Sequence, residues 1–205
     1  MDIAVVTPVT GSAWETVVSV SDLRLHRMLL NSDADEDARM EAAIRDAMDV
    51  LDGPQGELRR SVLPVTYDLY LPAFPASRMI EIPLPPLQSV GSLKYLDTAG
   101  ATQTLSSAKY VVRSGDALAP GSVELLGTED WPAIADHPRA VTIRFTAGYA
   151  TVPQGLKRAT KLLAAHYMEN IEATANDPRI SSVNRKITFG LEHLFDRYRV
   201  LHRYA

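Results

Sequence analysis

His166 and Glu169, in the run HYMEN, stand three residues apart in a segment of helical periodicity. That spacing turns an imidazole and a carboxylate toward one face, where they could hold a divalent metal for hydrolysis. A metal site needs further ligands, and the sequence supplies no second pair of this kind. His193 and His202 are dispersed along the last helical segment, and His137 lies between Asp136 and Pro138 in a loop-like run. Cysteine is absent, which excludes disulfides, thiolate metal sites and any sign of an oxidising compartment. Neither a G-x-G-x-x-G nor a G-x-x-x-x-G-K-[ST] loop occurs, and GDALAPG has the make-up of a hairpin turn rather than of an anion nest. G-x-S-x-G and H-E-x-x-H are missing too. No catalytic residue, metal or cofactor is therefore assigned, and a metal-dependent hydrolase using His166 and Glu169 stays only as an alternative.

The chain has 205 residues, 46% apolar and 22% charged, enough for one substantial core or two small ones. Its net charge of −4 opposes a protein that grips nucleic acid, because such grip comes from Lys and Arg neutralising phosphates. The opening MDIAVVTPVTGSAW lacks the basic start and apolar run of a signal peptide. No stretch approaches the roughly 18 uninterrupted apolar residues of a membrane span. The expectation is a protein made in the bacterial cytoplasm that crosses no membrane.

Residues 1–60 read as a short lead followed by two helices. Ser19 and Asp22 are spaced as a capping pair, and Leu23, Leu25, Met28 and Leu29 follow, offered to a partner surface. Asp33 and Glu36 have capping-box spacing at the second helix, with Asp35 and Asp37 at the positive end of its dipole. Met40, Ala43, Ile44, Ala47, Met48 and Leu51 then recur at three and four as one apolar stripe, ended by Gly53 and Pro54. Asp46, Asp49 and Asp52 fall off the stripe and face water, the ordinary case for a charge run, or a neighbouring subunit.

Residues 61–150 switch to period two. Val65, Tyr67, Leu69 and Leu71 alternate with Thr66, Asp68 and Tyr70, as Val141, Ile143 and Phe145 do with Thr142, Arg144 and Thr146. Shorter strands are expected at Met79–Ile82, Val90–Leu96, Tyr110–Arg113 and Ser122–Leu126. DTAG and APG mark turns, so the pairing should be antiparallel hairpins and meanders. Pro83, Pro85 and Pro86 cannot stand inside a ladder and instead make a stiff crossing between strands, a fixed shape that suits an assembly surface.

Residues 151–205 return to helix. Pro153 opens a segment whose stripe is Leu156, Ala159, Thr160, Leu163, Tyr167 and Ile171. After a polar stretch from Thr174 to Thr188, Leu191, Leu194, Phe195, Tyr198 and Leu201 step by three and four, with Arg197, Arg199 and Arg203 off the stripe. This last helix either folds back on the helix from Pro153 to Ala173 or docks in a groove on a partner, where Tyr and Arg are common anchors. Helices, then strands, then helices make the class α+β: a helical core with an antiparallel β-rich insertion.

The ordered set IPLPPLQSVGSLKYLDTAGATQTL, YVV, AVTIRFTAGYATVPQGLKRATKLLAAHYMEN and FGLEHLFDRYR resembles the head-tail connector, or adaptor, proteins of tailed bacteriophages and gene transfer agents. The resemblance runs from about Val18 to Arg199. It implies a structural, non-enzymatic virion protein at the head-tail junction, in a dodecameric ring of copies of itself beneath the portal. Double-stranded DNA would pass through its channel without specific binding. The portal protein and a tail-side connector (stopper) or tail terminator would be its partners. In such proteins the C-terminal segment reaches the portal, which here puts Leu191, Leu194, Phe195, Tyr198, Arg199 and Leu201 forward as docking residues. The helix from Asp33 to Asp52, with Asp46, Asp49 and Asp52, would line the channel. A tail terminator or tail-completion protein is the nearest rival, since it shares ring assembly and lack of chemistry.

Overall fold

The computed structural model describes residues 2–7, 13–29, 33–115, 119–169 and 191–200. Ile171, the polar stretch from Thr174 to Thr188, Leu201, His202 and Arg203 lie outside the described residues. The fold is α+β, and the chain divides into two compact units. One comprises Met1–Val9, Arg60–Ala150 and Val200–Ala205, and the other Thr10–Arg59 and Thr151–Arg199.

The first unit is a sandwich of two antiparallel sheets. Its strands are β1 (Asp2–Thr7), β2 (Val65–Leu71), β3 (Met79–Ile82), β4 (Leu87–Leu96), β5 (Thr102–Thr104), β6 (Tyr110–Arg113), β7 (Gly121–Leu125) and β8 (Val141–Ala147). One sheet runs β1-β2-β8-β4-β5 and the other β3-β7-β6. Period-two patterning sends Val65, Tyr67 and Leu69 of β2 and Val141, Ile143, Phe145 and Ala147 of β8 into a core shared with Ile80, Ile82 and Val123 of the opposite sheet. At its centre Tyr67 stacks on Phe145 with centroids 5.5 Å apart. β4 keeps its apolar side inward through two register shifts, between Leu87 and Ser89 and between Val90 and Ser92.

The three prolines lie between β3 and β4, where the chain leaves one sheet for the other. This matches the expected crossing. DTAG closes the β4–β5 hairpin: the Asp97 carboxylate accepts from the amides of Ala99 (3.0 Å) and Ala101 (2.9 Å), and Gly100 takes a φ of +81°. Accepting first from the Gln103 side chain and then from Ala101 holds the Asp97 carboxyl below the usual aspartate range.

β1 differs from the short lead expected at the N-terminus. It pairs with β2 from Asp2 opposite Tyr70 to Thr7 opposite Thr66. Its sequence signal is weak because, as an edge strand, it leaves Val5 and Val6 exposed and shows no clean alternation. Asp68 also differs from the solvent-facing polar residue of the alternation: it is buried, and Arg144 covers it with two parallel bonds of 2.8 Å.

The second unit packs α1 (Val20–His26), α2 (Ala34–Leu51) and α3 (Gln154–Glu169), with α1 touching both others. Ser19 caps α1 in a reciprocal box with Asp22, and its hydroxyl holds the Asp22 carboxyl below the ordinary value. At α2 the expected box is only half made. Asp33 accepts from the Asp35 amide at 3.1 Å, while Glu36 turns to Arg27 at 3.6 Å. Arg24 pairs with Asp37 beside it. The six stripe residues of α2 are its buried residues, as their spacing predicts. Leu156, Ala159, Thr160 and Leu163 of α3 are buried too, with Tyr167 half-buried. On α1 only Leu23 is buried; Leu25 and Met28 stand 79% and 86% exposed.

Candidate functional site

Three sets of residues were expected to act in assembly. Pro83 and Pro85 are buried and Pro86 is half-buried, so their side chains help to fill the sandwich instead of standing out from it. Their fixed shape is tied down from an unexpected quarter. The Gly148 amide, just past β8, donates to the Pro86 carbonyl at 2.9 Å, and the Gln88 side-chain amide donates to the Gly148 carbonyl at 2.8 Å. The next amide, of Tyr149, donates to the Val62 carbonyl at 3.1 Å, and the Arg60 guanidinium bonds the Tyr149 hydroxyl. PPLQSV and AGY, some sixty residues apart in sequence, therefore form one knot with residues 60–63. Gly148 adopts a φ of +123°, and a Cβ there would sit 2.1 Å from the Leu63 carbonyl oxygen. Only glycine fits. Spacing alone did not join these motifs; the signal was a glycine immediately after a strand.

The acidic set lies on α2. Asp46 and Asp49 are exposed and Asp52, the C-cap, is half-buried, its amide donating to Met48 at 2.8 Å. Burial, and secondarily the Asp46 charge, pushes the Tyr167 phenol on α3 up from its ordinary value. The last turn of α2 carries no basic residue. Asp49 in that turn and Asp52 at the cap oppose the helix dipole, the exposed Asp49 by about 0.3–1 kcal/mol, whereas Asp46 lies a turn earlier. Helix stability does not account for their position.

The third set is the helical segment 191–198 and the residues just after it. Leu191 is buried, while Leu194, Phe195 and Tyr198 are half-buried. The Tyr198 ring lies over Gly155 of α3, where a Cβ would come within 2.4 Å of its hydroxyl. Arg199 reaches the Glu57 carboxylate and backbone carbonyl. The segment thus makes contacts within its own unit, and Phe195 keeps part of its ring accessible.

His166 is half-buried and Glu169 exposed on α3. Among the described residues no three His, Cys, Asp or Glu side chains converge as a metal site. No helix among them is long and apolar enough to cross a membrane.

Comparison with solved structures gives full-length matches. A chain of the native gene transfer agent virion superposes with a TM-score of 0.73 at 27% identity, over 100% of this chain and 98% of that one. The protein is similar throughout to a gene transfer agent particle component. A chain from the neck of the empty particle, computed with C6 symmetry, matches with a TM-score of 0.73 at 28% identity over the same shares. One from the neck of the native particle, computed with C12 symmetry, gives 0.67 at 25%. No protein-family model and no curated protein sequence matches the chain.

Proposed function

We propose that the protein is a structural head-tail connector, the adaptor subunit that forms a ring under the portal of a phage-like particle, extends the DNA channel and joins capsid to tail. The observation that carries this reading is the match of the whole chain, both units included, to neck chains of the gene transfer agent particle. The C6 and C12 symmetries of those necks support a ring of copies. In this reading the portal protein and a tail-side stopper or terminator are the partners, no cofactor is needed and no reaction is catalysed.

Two features of the chain support it. Asp49 and Asp52 sit at the negative end of α2, where they oppose the helix dipole, which makes sense if a carboxylate face lines a channel through which DNA must slide: like charge repels phosphate, and a basic lining would hold it. The half-buried Phe195 and Tyr198 on the last helical segment suit an aromatic anchor that turns from its own unit to the portal. Co-sedimentation of the labelled protein with DNA-filled tailless capsids, and separately with isolated tails, tests the reading. Saturable binding to capsids at a ring-like stoichiometry is expected. Binding to tails alone would move the protein to tail completion, and binding to neither would overturn the connector role.

A further inference from the structure

A cyclic ring of more than two subunits is heterologous: each contact joins two different patches, one on each neighbour. The β unit carries two such patches at its sheet edges. β1 ends one sheet and β6 ends the other, and among the described residues no strand lies beyond either. An edge strand offers a row of unpaired N–H and C=O groups, and proteins ordinarily guard it with Lys, Pro, a charge or brevity. These two edges are only partly guarded: β1 bulges at Val6 and β6 is four residues ending in Arg113, which leaves Asp2–Val5 and Tyr110–Arg113 as regular, open stretches. From Ile3 to Thr7 β1 has neither charge nor proline, and Val5 and Val6 are 50% and 37% exposed. On β6, Val111 and Val112 are 39% and 36% exposed. β5, by contrast, is three exposed polar residues.

Resting on the ring reading above, we propose that neighbouring copies join by antiparallel pairing of β1 of one with β6 of the next. The register sets Asp2 opposite Arg113, Ile3 opposite Val112, Ala4 opposite Val111 and Val5 opposite Tyr110. The pleat selects this register. Ile3 and Val5 oppose Leu69 and Tyr67 within their sheet and so face the core side, while Asp2 and Ala4 face outward. On β6, Tyr110 and Val112 oppose the core residues Leu125 and Val123, while Val111 and Arg113 face outward beside Glu124 and Ser122. Only even slips keep each face matched, and this one also sets acid opposite base. The Asp2 and Arg113 side chains are 56% and 65% exposed despite their intrachain pairs with Arg139 and Glu124, so each can reach a second partner. The other edge of the three-stranded sheet is a worse match: the outward residues of β3 are Met79 and Glu81, so it offers Asp2 no basic partner.

The chain has no cysteine, so two introduced thiols are its only ones. The test uses the full chain assembled into particles from cells whose own copy is replaced. Ala4→Cys with Val111→Cys places two outward thiols opposite each other, within disulfide reach. Mild oxidation of purified particles should give a ladder of covalent multimers on a denaturing gel. Either single variant should stop at dimers, and Ala4→Cys with Val112→Cys, whose thiols face opposite sides, should link at least tenfold less. Copies per particle are counted in parallel. Several copies without a ladder overturn the edge pairing and leave the ring reading standing; a single copy overturns both. Should the double-cysteine chain fail to incorporate, charge reversal decides. Arg113→Asp or Asp2→Arg alone should cut copies per particle about tenfold and the two together should restore them; no restoration overturns the pairing.

Discussion

Gly148→Ala is the sharpest perturbation of the knot that fixes the proline crossing. A φ of +123° costs a non-glycine residue about 1–3 kcal/mol. The new Cβ would lie 2.1 Å from the Leu63 carbonyl oxygen and 2.4 Å from its carbon, both backbone atoms that cannot rotate aside. The chain must shift, and the shift breaks or stretches the bonds from Gly148 to Pro86 and from Gln88 to Gly148, worth roughly 0.5–1.5 kcal/mol each. The sum is about 2–6 kcal/mol, a large part of the roughly 5–15 kcal/mol that holds a domain. With a urea slope near 2 kcal/mol per molar, the midpoint should fall by about 1–3 M. In a Trp14→Phe background Trp131 reports on the β unit, because it stacks on Phe74 with centroids 4.7 Å apart. Gly127→Ala is the control. Its φ is also left-handed, +53°, but a Cβ there meets nothing within 4 Å, so only the strain of roughly 1–2 kcal/mol remains. A Gly148→Ala midpoint no lower than that of Gly127→Ala would refute the reasoning.

Arg144→Ala should lower stability more than the double change Asp68→Asn with Arg144→Met, because the single change strips its partner from a buried carboxylate and the double removes both charges; paired urea melts decide. Ser19→Ala should cost about 1 kcal/mol through loss of the α1 cap. The lowered Asp22 value means its contribution is present above the ordinary aspartate range and lost as pH falls through the folded value. Wild type and Asp22→Asn should therefore differ in urea midpoint at pH 6 and converge in strong acid. Gly155→Ala must displace the Tyr198 ring, so hydrogen exchange should quicken in 191–198 while α2 stays protected. Deleting the chain after Phe189 strips away buried Leu191 and the Tyr198 ring over Gly155, so it should lower the stability of the helical unit without unfolding the β unit, and it should abolish capsid attachment; Phe195→Ala should weaken attachment more than Arg203→Ala, and retained attachment by the truncated protein would remove the docking role.

Much of the fold was legible because burial of one face writes its period into the sequence. The six-residue stripe of α2 and the alternation of β2 and β8 need only local geometry, and the prolines had to fall between strands because they cannot donate to a ladder. The assembly residues were less legible. An acidic run off a stripe is the same pattern whether it faces water or DNA, and a C-terminal amphipathic helix reads alike whether it covers its own unit or another protein.

Local pattern set the class of each long element and its buried face, and it carried no motif of assembled chemistry. Tertiary structure alone decided the rest. It buried Asp68 under Arg144, met PPLQSV with AGY through Gly148, set Tyr198 over Gly155 and made the unpatterned N-terminus an edge strand. The physical reason is range. Periodicity reports an average environment over a few residues, whereas each of these contacts joins segments tens of residues apart and exists only once strand register and helix packing have brought particular atoms together.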